Sequence, residues 1–126
     1  EKRLERWNNI ILSACEQSGL NLPPKLHSPQ KIDAISLPES AEETIPLLTL
    51  SPTAEQNLSE AMTLLNHPSA IAIIIGPEGG LSDTEIRSLE QRSARSVRLG
   101  ERILRTETAA LTVVSSLHAL MGDWAE

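Results

Sequence analysis

A glycine-rich segment at residues 76–81 reads GPEGGL and places one carboxylate, Glu78, among three glycines. Because glycine has no Cβ, the backbone there is able to approach a ligand closely and offer its amides to a flat heterocycle or a ribose. A carboxylate in this position repels phosphate but suits a cation or a hydroxyl donor. The segment therefore predicts a site for a cationic or hydroxyl-bearing ligand. A tight strand-to-helix turn without any ligand is the alternative for a glycine-rich turn alone.

Two familiar phosphate-binding motifs do not fit this segment. A Walker loop requires Lys followed by Ser or Thr after its glycines, whereas Leu81 and Ser82 stand here, and the dinucleotide fingerprint G-x-G-x-x-G is absent. The formal net charge of −6 also argues against a grip on phosphate backbones by bulk electrostatics, since counterion release needs clustered Lys and Arg. If the ligand is a nucleic acid, we expect most of the contacts that hold it to lie outside this chain.

The remaining reactive side chains indicate no metal site and no disulfide. His27, His67 and His118 are scattered along the sequence, without the spacing of metal ligands. Cys15 is the single cysteine and falls on an apolar helical stripe, which predicts a packing role. The longest apolar run, residues 70–75, is too short to span a bilayer. We therefore expect a soluble, cytoplasmic protein that uses no metal and contacts no membrane.

The strands that must position the glycine-rich segment are predicted from compact apolar runs. The runs at residues 45–50 and 97–99 indicate strands. Residues 70–75 are apolar, rich in Ile and without alternation, which predicts a central parallel strand covered on both faces. The glycine-rich segment directly follows the run at residues 70–75.

Helices are predicted between the strands from apolar periodicity and end signals. The first helix ends at Gly19, a weak helix occupies residues 30–35, and a loop covers residues 36–43. A helix with Pro52 in its first turn is predicted over residues 51–66. Ser82 and Glu85 have the spacing of a capping box and predict a helix over residues 83–91.

The last predicted helix runs from Thr106 or Glu107 to Met121 and is ended by Gly122. Its predicted inward-facing residues are Ala110, Val113, Val114, Leu117 and Leu120. The alternation of strands and helices predicts an α/β fold with a mostly parallel sheet, whose ligand site lies at the carboxyl ends of the strands. Loops 51–53, 76–81 and 100–105 should therefore converge on one crevice.

Two blocks of the sequence are distinctive: IIGPEGGLS at residues 74–82 and LGERILRTETA at residues 99–109. Both resemble signature blocks of the ribosomal RNA small-subunit methyltransferase E family. A weaker block, ACEQSG at residues 14–19 followed by Pro23 or Pro24, also fits, so the resemblance extends over nearly the whole chain. It implies a SPOUT fold with a deep C-terminal trefoil knot, which general topology rules would have argued against. It also implies a homodimer that binds S-adenosylmethionine on three loops and methylates N3 of a uridine in small-subunit rRNA.

The same resemblance assigns site residues. It places Leu50 at the edge of the methyl-donor pocket. One wall is then formed by Gly76, Pro77, Glu78 and Gly79, and the other by Leu99, Gly100, Ile103 and Leu104. Arg105 would lie nearest the chemistry, where it orients the uracil or stabilises the charge that develops as N3 loses its proton.

Methyl transfer from a sulfonium needs alignment and a deprotonated nucleophile rather than a metal. Glu78 and Glu107 are both candidate acceptors of the N3 proton, although the helix dipole also explains Glu107. Arg102 and Arg105 could instead be solvated charges on a loop, without a role at the site. Thr106 could instead be a helix cap. The last helix packs either internally or against a second copy, and the resemblance favours the second copy.

A complete member of the family has an N-terminal PUA-like RNA-binding barrel and, ahead of the position of Glu1, a strand, a helix and a further strand. We therefore interpret residues 1–126 as a partial methyltransferase domain and expect weak or no activity from it alone. Two rival functions are a non-catalytic nucleotide-binding or dimerisation module, and a knotted enzyme that methylates another RNA position such as a ribose hydroxyl or a guanine.

Overall fold

The computed structural model describes residues 1–37, 44–122, 124 and 125, so most of the predicted loop at residues 36–43 lies outside the described residues. The chain divides into two compact units, Glu1–Ile35 and Ser36–Glu126. None of the helices in the described part combines the length and the apolar character that a membrane crossing requires.

The first unit contains helix α1, Lys2–Ser18. As predicted, the helix stops at Gly19, which adopts a left-handed conformation with φ 75°. Leu20 N–H donates to the Cys15 carbonyl at 3.0 Å and closes the end of the helix. The Cys15 side chain is buried, which confirms the predicted packing role. Only one 3₁₀ turn, Ile32–Ala34, forms where a weak helix was predicted over residues 30–35.

The second unit is built on a three-stranded parallel sheet. Its strands are β1 (Leu47–Leu50), β2 (Ala72–Ile74) and β3 (Arg95–Val97), in the order β2-β1-β3. Leu48 of β1 stands opposite Ile73 on one side and Arg95 on the other. The mixed α/β fold with a parallel sheet is therefore confirmed.

The central strand is β1, not the apolar run at residues 70–75. Leu47, Leu48 and Thr49 are consecutive and all buried, so both faces of β1 are covered. The β2 residues are only half-buried, and β2 lies at an edge of the sheet formed by the described residues. The prediction was wrong because an apolar run indicates burial but does not determine which strands flank it.

Strand β3 begins two residues earlier than predicted. Residues 97–99 were expected to form it, whereas the strand spans Arg95–Val97. The exposed Arg95 concealed its start, and the apolar Leu99 belongs to the loop that follows. Buried Thr49 faces this strand, and its hydroxyl lies 3.0 Å from that of Ser96, so the polar group on the central strand is satisfied.

Helix α2, Leu58–Leu64, starts later than the predicted range of residues 51–66. Asn57 and Glu60 form a capping box, in which each side chain accepts from the other residue's backbone N–H at 2.9 Å. This reciprocal cap fixes the start at Asn57, and Pro52 remains in the preceding loop. Helix α3, Asp83–Gln91, has the predicted bounds, and its capping box of Ser82 and Glu85 is present.

Helix α4, Thr106–Met121, also has the predicted length. Ala109 and Val113 are its buried residues, and Leu117 packs against the core. Val114 and Leu120 were predicted to face inward but are 49% and 36% exposed. Apolar residues surround this helix on several sides, so periodicity did not determine which stripe is buried.

The core of the second unit joins β1 and β3 to α2 and α4. Its cluster of buried residues consists of Leu48, Leu58, Ala61, Met62, Val97 and Val113. Residues at the strand ends or in the first positions of the loops, including Leu50, Ile75 and Leu99, pack against this cluster. The core therefore anchors the start of each loop at the carboxyl edge of the sheet.

Candidate active site

The loops that follow β1, β2 and β3 surround one cavity of about 670 Å³. Nine of the residues assigned to the site line this cavity: Leu50, Gly76, Pro77, Glu78, Gly79, Leu99, Ile103, Leu104 and Arg105. Glu78 and Leu104 therefore share one space, as the site requires. Gly100 does not line it but lies on a neighbouring cavity of about 410 Å³.

The second loop, after β2, is a tight turn that needs glycine at its start. A Cβ on Gly76 would lie 3.0 Å from the backbone nitrogen of Leu81 and 3.1 Å from the Leu81 Cγ atom. Gly80 N–H donates to the Pro77 carbonyl at 2.8 Å and closes the turn. The capping box of α3 then follows directly. This loop is therefore held from both ends, with the exposed Glu78 at its tip.

The third loop, after β3, presents apolar and cationic side chains to the same space. Gly100 has φ 78°, a conformation that residues with a Cβ rarely adopt, and lies in a bend of the chain. Ile103 is 80% exposed although it lines the cavity, and Leu104 is half-buried. An apolar side chain exposed at the rim of a cavity is available to pack against a flat ligand.

Thr106, the first residue of α4, connects the end of the third loop to the second loop. Its hydroxyl donates to the carbonyl of Gly76 at 3.1 Å, across 30 positions of sequence. Arg105 is the N-cap residue of α4 and makes no side-chain cap bond, so the alternative of Thr106 as the helix cap is wrong. Sequence reasoning missed this role, because a threonine at a helix start has a sufficient local explanation.

The charged residues of the cavity are Glu78, Arg102 and Arg105, and all three are exposed. Glu107 is exposed in the first turn of α4 and is not among the residues that line the cavity. Its place near the positive end of the helix dipole is therefore a sufficient explanation for its presence. Glu78 is the candidate proton acceptor that lies at the site.

No group of three or more His, Cys, Asp or Glu side chains is placed to hold a metal ion within residues 1–37 and 44–122. His118 does not line the cavity, and its buried Nδ1 atom has no hydrogen-bond partner among the residues that the structure describes. The prediction that catalysis uses no metal stays a prediction.

A cavity formed by loops at the carboxyl ends of parallel strands is the usual ligand site of α/β proteins. The chain belongs to the RNA methyltransferase domain family, whose model matches residues 1–118.

The relatives of the chain agree with this assignment. The ribosomal RNA small subunit methyltransferase E of Mesomycoplasma hyopneumoniae is 39% identical over 91% of this chain and 48% of that protein. The protein of the same name from Buchnera aphidicola is 34% identical over 97% of this chain and 48% of its own length.

A solved structure is also similar. The methyltransferase E from Neisseria gonorrhoeae, bound to S-adenosyl methionine, has a TM-score of 0.82 at 37% identity and covers 98% of this chain and 49% of its own. The chain thus spans about half the length of the relatives that it matches.

Proposed function

We propose that this chain binds S-adenosylmethionine in the cavity and forms the methyl-donor part of a small-subunit rRNA methyltransferase. The observation that carries the proposal is the cavity itself, because residues as distant in sequence as Leu50 and Arg105 line one space. Its volume of about 670 Å³ lies within the range of about 300–1,000 Å³ typical of sites for small ligands. The Neisseria relative was solved with this ligand bound.

The lining residues fit the chemistry of such a ligand. Leu50, Ile103 and Leu104 supply apolar surface for the adenine ring, and the turn at residues 76–80 supplies backbone groups for its polar edge. The carboxylate of Glu78 suits the sulfonium charge or the ribose hydroxyls. When bound, the donor supplies an electrophilic methyl group.

The residues of the chain then have to align the acceptor and remove its proton. We assign the acceptor as N3 of a uridine, following the family resemblance. Arg105 stabilises the negative charge left on the uracil, and Glu78 is the candidate that receives the N3 proton. Both side chains line the cavity and both are exposed, so an incoming base has access to them.

The finer architecture belongs to the same proposal. Residues 1–126 then form the donor-binding part of one methyltransferase domain, a view supported by the match of the family over residues 1–118. The SPOUT fold with its C-terminal trefoil knot is proposed from the resemblance. We propose a homodimer through α4, supported by the exposed apolar side chains of Leu111 and Val114 on this helix. Action on rRNA fits the predicted cytoplasmic location.

The first test is titration calorimetry of the chain with S-adenosylmethionine. We expect saturable binding that Leu104→Asp abolishes, because the substitution places a carboxylate on the apolar wall. Leu64→Asp is the matched control, since Leu64 is 64% exposed on α2 and does not line the cavity. Absence of binding by the unsubstituted chain would overturn the proposal and favour a module for another nucleotide.

The second test maps the product. Incubation with deproteinised rRNA and with small ribosomal subunits, followed by mass mapping, identifies any methylated atom. Methyl transfer to a uridine N3 supports the assignment, and transfer to a ribose hydroxyl or a guanine contradicts it. We expect weak turnover or none from this chain alone, so the mapping is repeated in cells that lack the gene.

A further inference from the structure

The cations of the second unit are concentrated in one short part of the sequence. Between residues 36 and 126, every Lys or Arg lies within residues 87–105, where six arginines stand against two glutamates. The arginines are Arg87, Arg92, Arg95, Arg98, Arg102 and Arg105. The net charge of −6 therefore conceals a strongly basic segment.

The fold brings the last three arginines of this segment to the candidate active site. Arg102 and Arg105 line the cavity that we assign to the donor, and Arg98 lines the neighbouring cavity of about 410 Å³. Leu99 lines both cavities, so the two spaces adjoin at its side chain. The three arginines thus lie after the end of β3 and in the third loop, and each lines one of two adjoining cavities.

These three side chains are available to a ligand. Arg102 and Arg105 are exposed, and Arg98 is half-buried. Within the described residues, no hydrogen bond or ion pair engages their guanidinium groups, whereas Arg95 donates to Gln56 Oε1 at 3.0 Å. A planar guanidinium with free N–H groups is well suited to bind a phosphate through two hydrogen bonds.

The second loop contributes a charge of the opposite sign. Glu78, on the second loop, is the one carboxylate among the described residues that line the donor cavity. An anionic strand is therefore attracted by the arginines and repelled by Glu78. This difference in charge favours an approach of the strand from the cavity beside Arg98, over Leu99, toward Arg105.

We infer that Arg98 and Arg102 form a phosphate-binding path that leads single-stranded RNA to the donor site, where Arg105 meets the target base. The inference rests on the proposed function and adds the surface by which this part of the protein holds its substrate. A single strand fits better than a duplex, because a base has to leave a stack to reach a methyl donor in a cavity.

The test measures the binding of a fluorescein-labelled oligouridylate by fluorescence anisotropy, at several KCl concentrations and with saturating S-adenosylmethionine. We expect Arg98→Gln and Arg102→Gln each to weaken binding by about two- to fivefold at low salt. Each should also reduce the slope of log affinity against log salt by about 0.7, the value for one phosphate contact on a single strand. Arg87→Gln is the matched control, since it removes the same charge from α3 at a position on neither cavity.

Donor affinity of each variant is measured by calorimetry alongside. Weaker RNA binding by Arg98→Gln with unchanged donor affinity supports the path, since Arg98 does not line the donor cavity. The inference is overturned if the chain binds no RNA at low salt, or if Arg87→Gln has the same effect as Arg98→Gln. Equal competition by polyglutamate also overturns it, because the cluster would then be a general anion surface. Failure of donor binding in the unsubstituted chain would instead contradict the proposed function.

Discussion

At the scale of single residues, the hydrogen bond from Thr106 to the Gly76 carbonyl joins two parts of the cavity wall. It connects a loop after β2 to the start of α4 and is half-buried. We therefore regard Thr106 as a positioning residue, which acts on the ligand through the turn at Gly76. Loss of the hydroxyl would leave a partly buried carbonyl without its partner.

We expect Thr106→Val to weaken the binding of S-adenosylmethionine about fivefold, equivalent to about 1 kcal/mol. Thr106→Ser keeps the hydroxyl and should restore most of the affinity in calorimetry. Thr112→Val is the matched control, because its hydroxyl bonds to the Thr108 carbonyl at 2.7 Å within the same helix. If Thr106→Val binds the donor as well as Thr106→Ser does, the positioning role is wrong.

Individual site residues were easier to predict than the bonds between them. The motifs at residues 74–82 and 99–109 led to Glu78, Leu104 and Arg105, all of which line the cavity. The link between Thr106 and Gly76 could not be predicted, because the partner is a backbone carbonyl and nothing in the side chains identifies it. Gly100 has φ 78° and shapes the loop from outside the cavity, a distinction that a motif does not contain.

At the scale of elements, the reliability of each prediction depended on local end signals. The capping box of Ser82 and Glu85 determined the start of α3, whereas Pro52 led to a start for α2 that the stronger box at Asn57 displaced. The order of the strands could not be predicted, because it is decided by contacts between segments far apart in sequence. The parallel α/β class could be predicted from the alternation of strands and helices alone.

Helix α4 carries an apolar surface that its own unit leaves uncovered. Leu111 is 72% exposed and Val114 is 49% exposed, on a helix whose Val113 is completely buried. An apolar surface of this kind on a helix is typical of an interface between subunits. Substitutions at these two exposed positions should therefore weaken a dimer that forms through α4.

We expect Leu111→Gln combined with Val114→Thr to shift the chain from dimer to monomer in sedimentation velocity, with helical content in circular dichroism unchanged. Leu64→Gln on α2, where the native side chain is 64% exposed, is the control for a change in surface apolarity alone. A chain that is monomeric before substitution, or a dimer that tolerates the double change, would show that α4 is not the interface.

At the scale of the whole molecule, the cavity is assembled from segments spread over more than half of the second unit. Leu50 and Ala109 mark the first and last lining residues in sequence, and the turn at residues 76–80 lies between them. A ligand in this space therefore contacts three separate loops at once. Local opening of any of these loops has to break contacts with the same ligand.

We expect S-adenosylmethionine to slow amide hydrogen exchange simultaneously in peptides that cover residues 50–52, 76–80 and 99–106. Peptides from α1 serve as the internal control, because they contain no residue of the cavity. Slowing confined to one of the three loops would show that the ligand occupies a different or smaller site than the one described.

Because the cavity walls come from segments far apart in sequence, the thermal stability of the protein also depends on the ligand concentration. A compound that binds only the assembled walls is lost from every partly unfolded form, so mass action favours the native state. At a free concentration of about one hundred times Kd, this adds about 2.7 kcal/mol to the free energy of unfolding. The melting temperature of this protein is therefore a property of the solution around it as much as of its sequence.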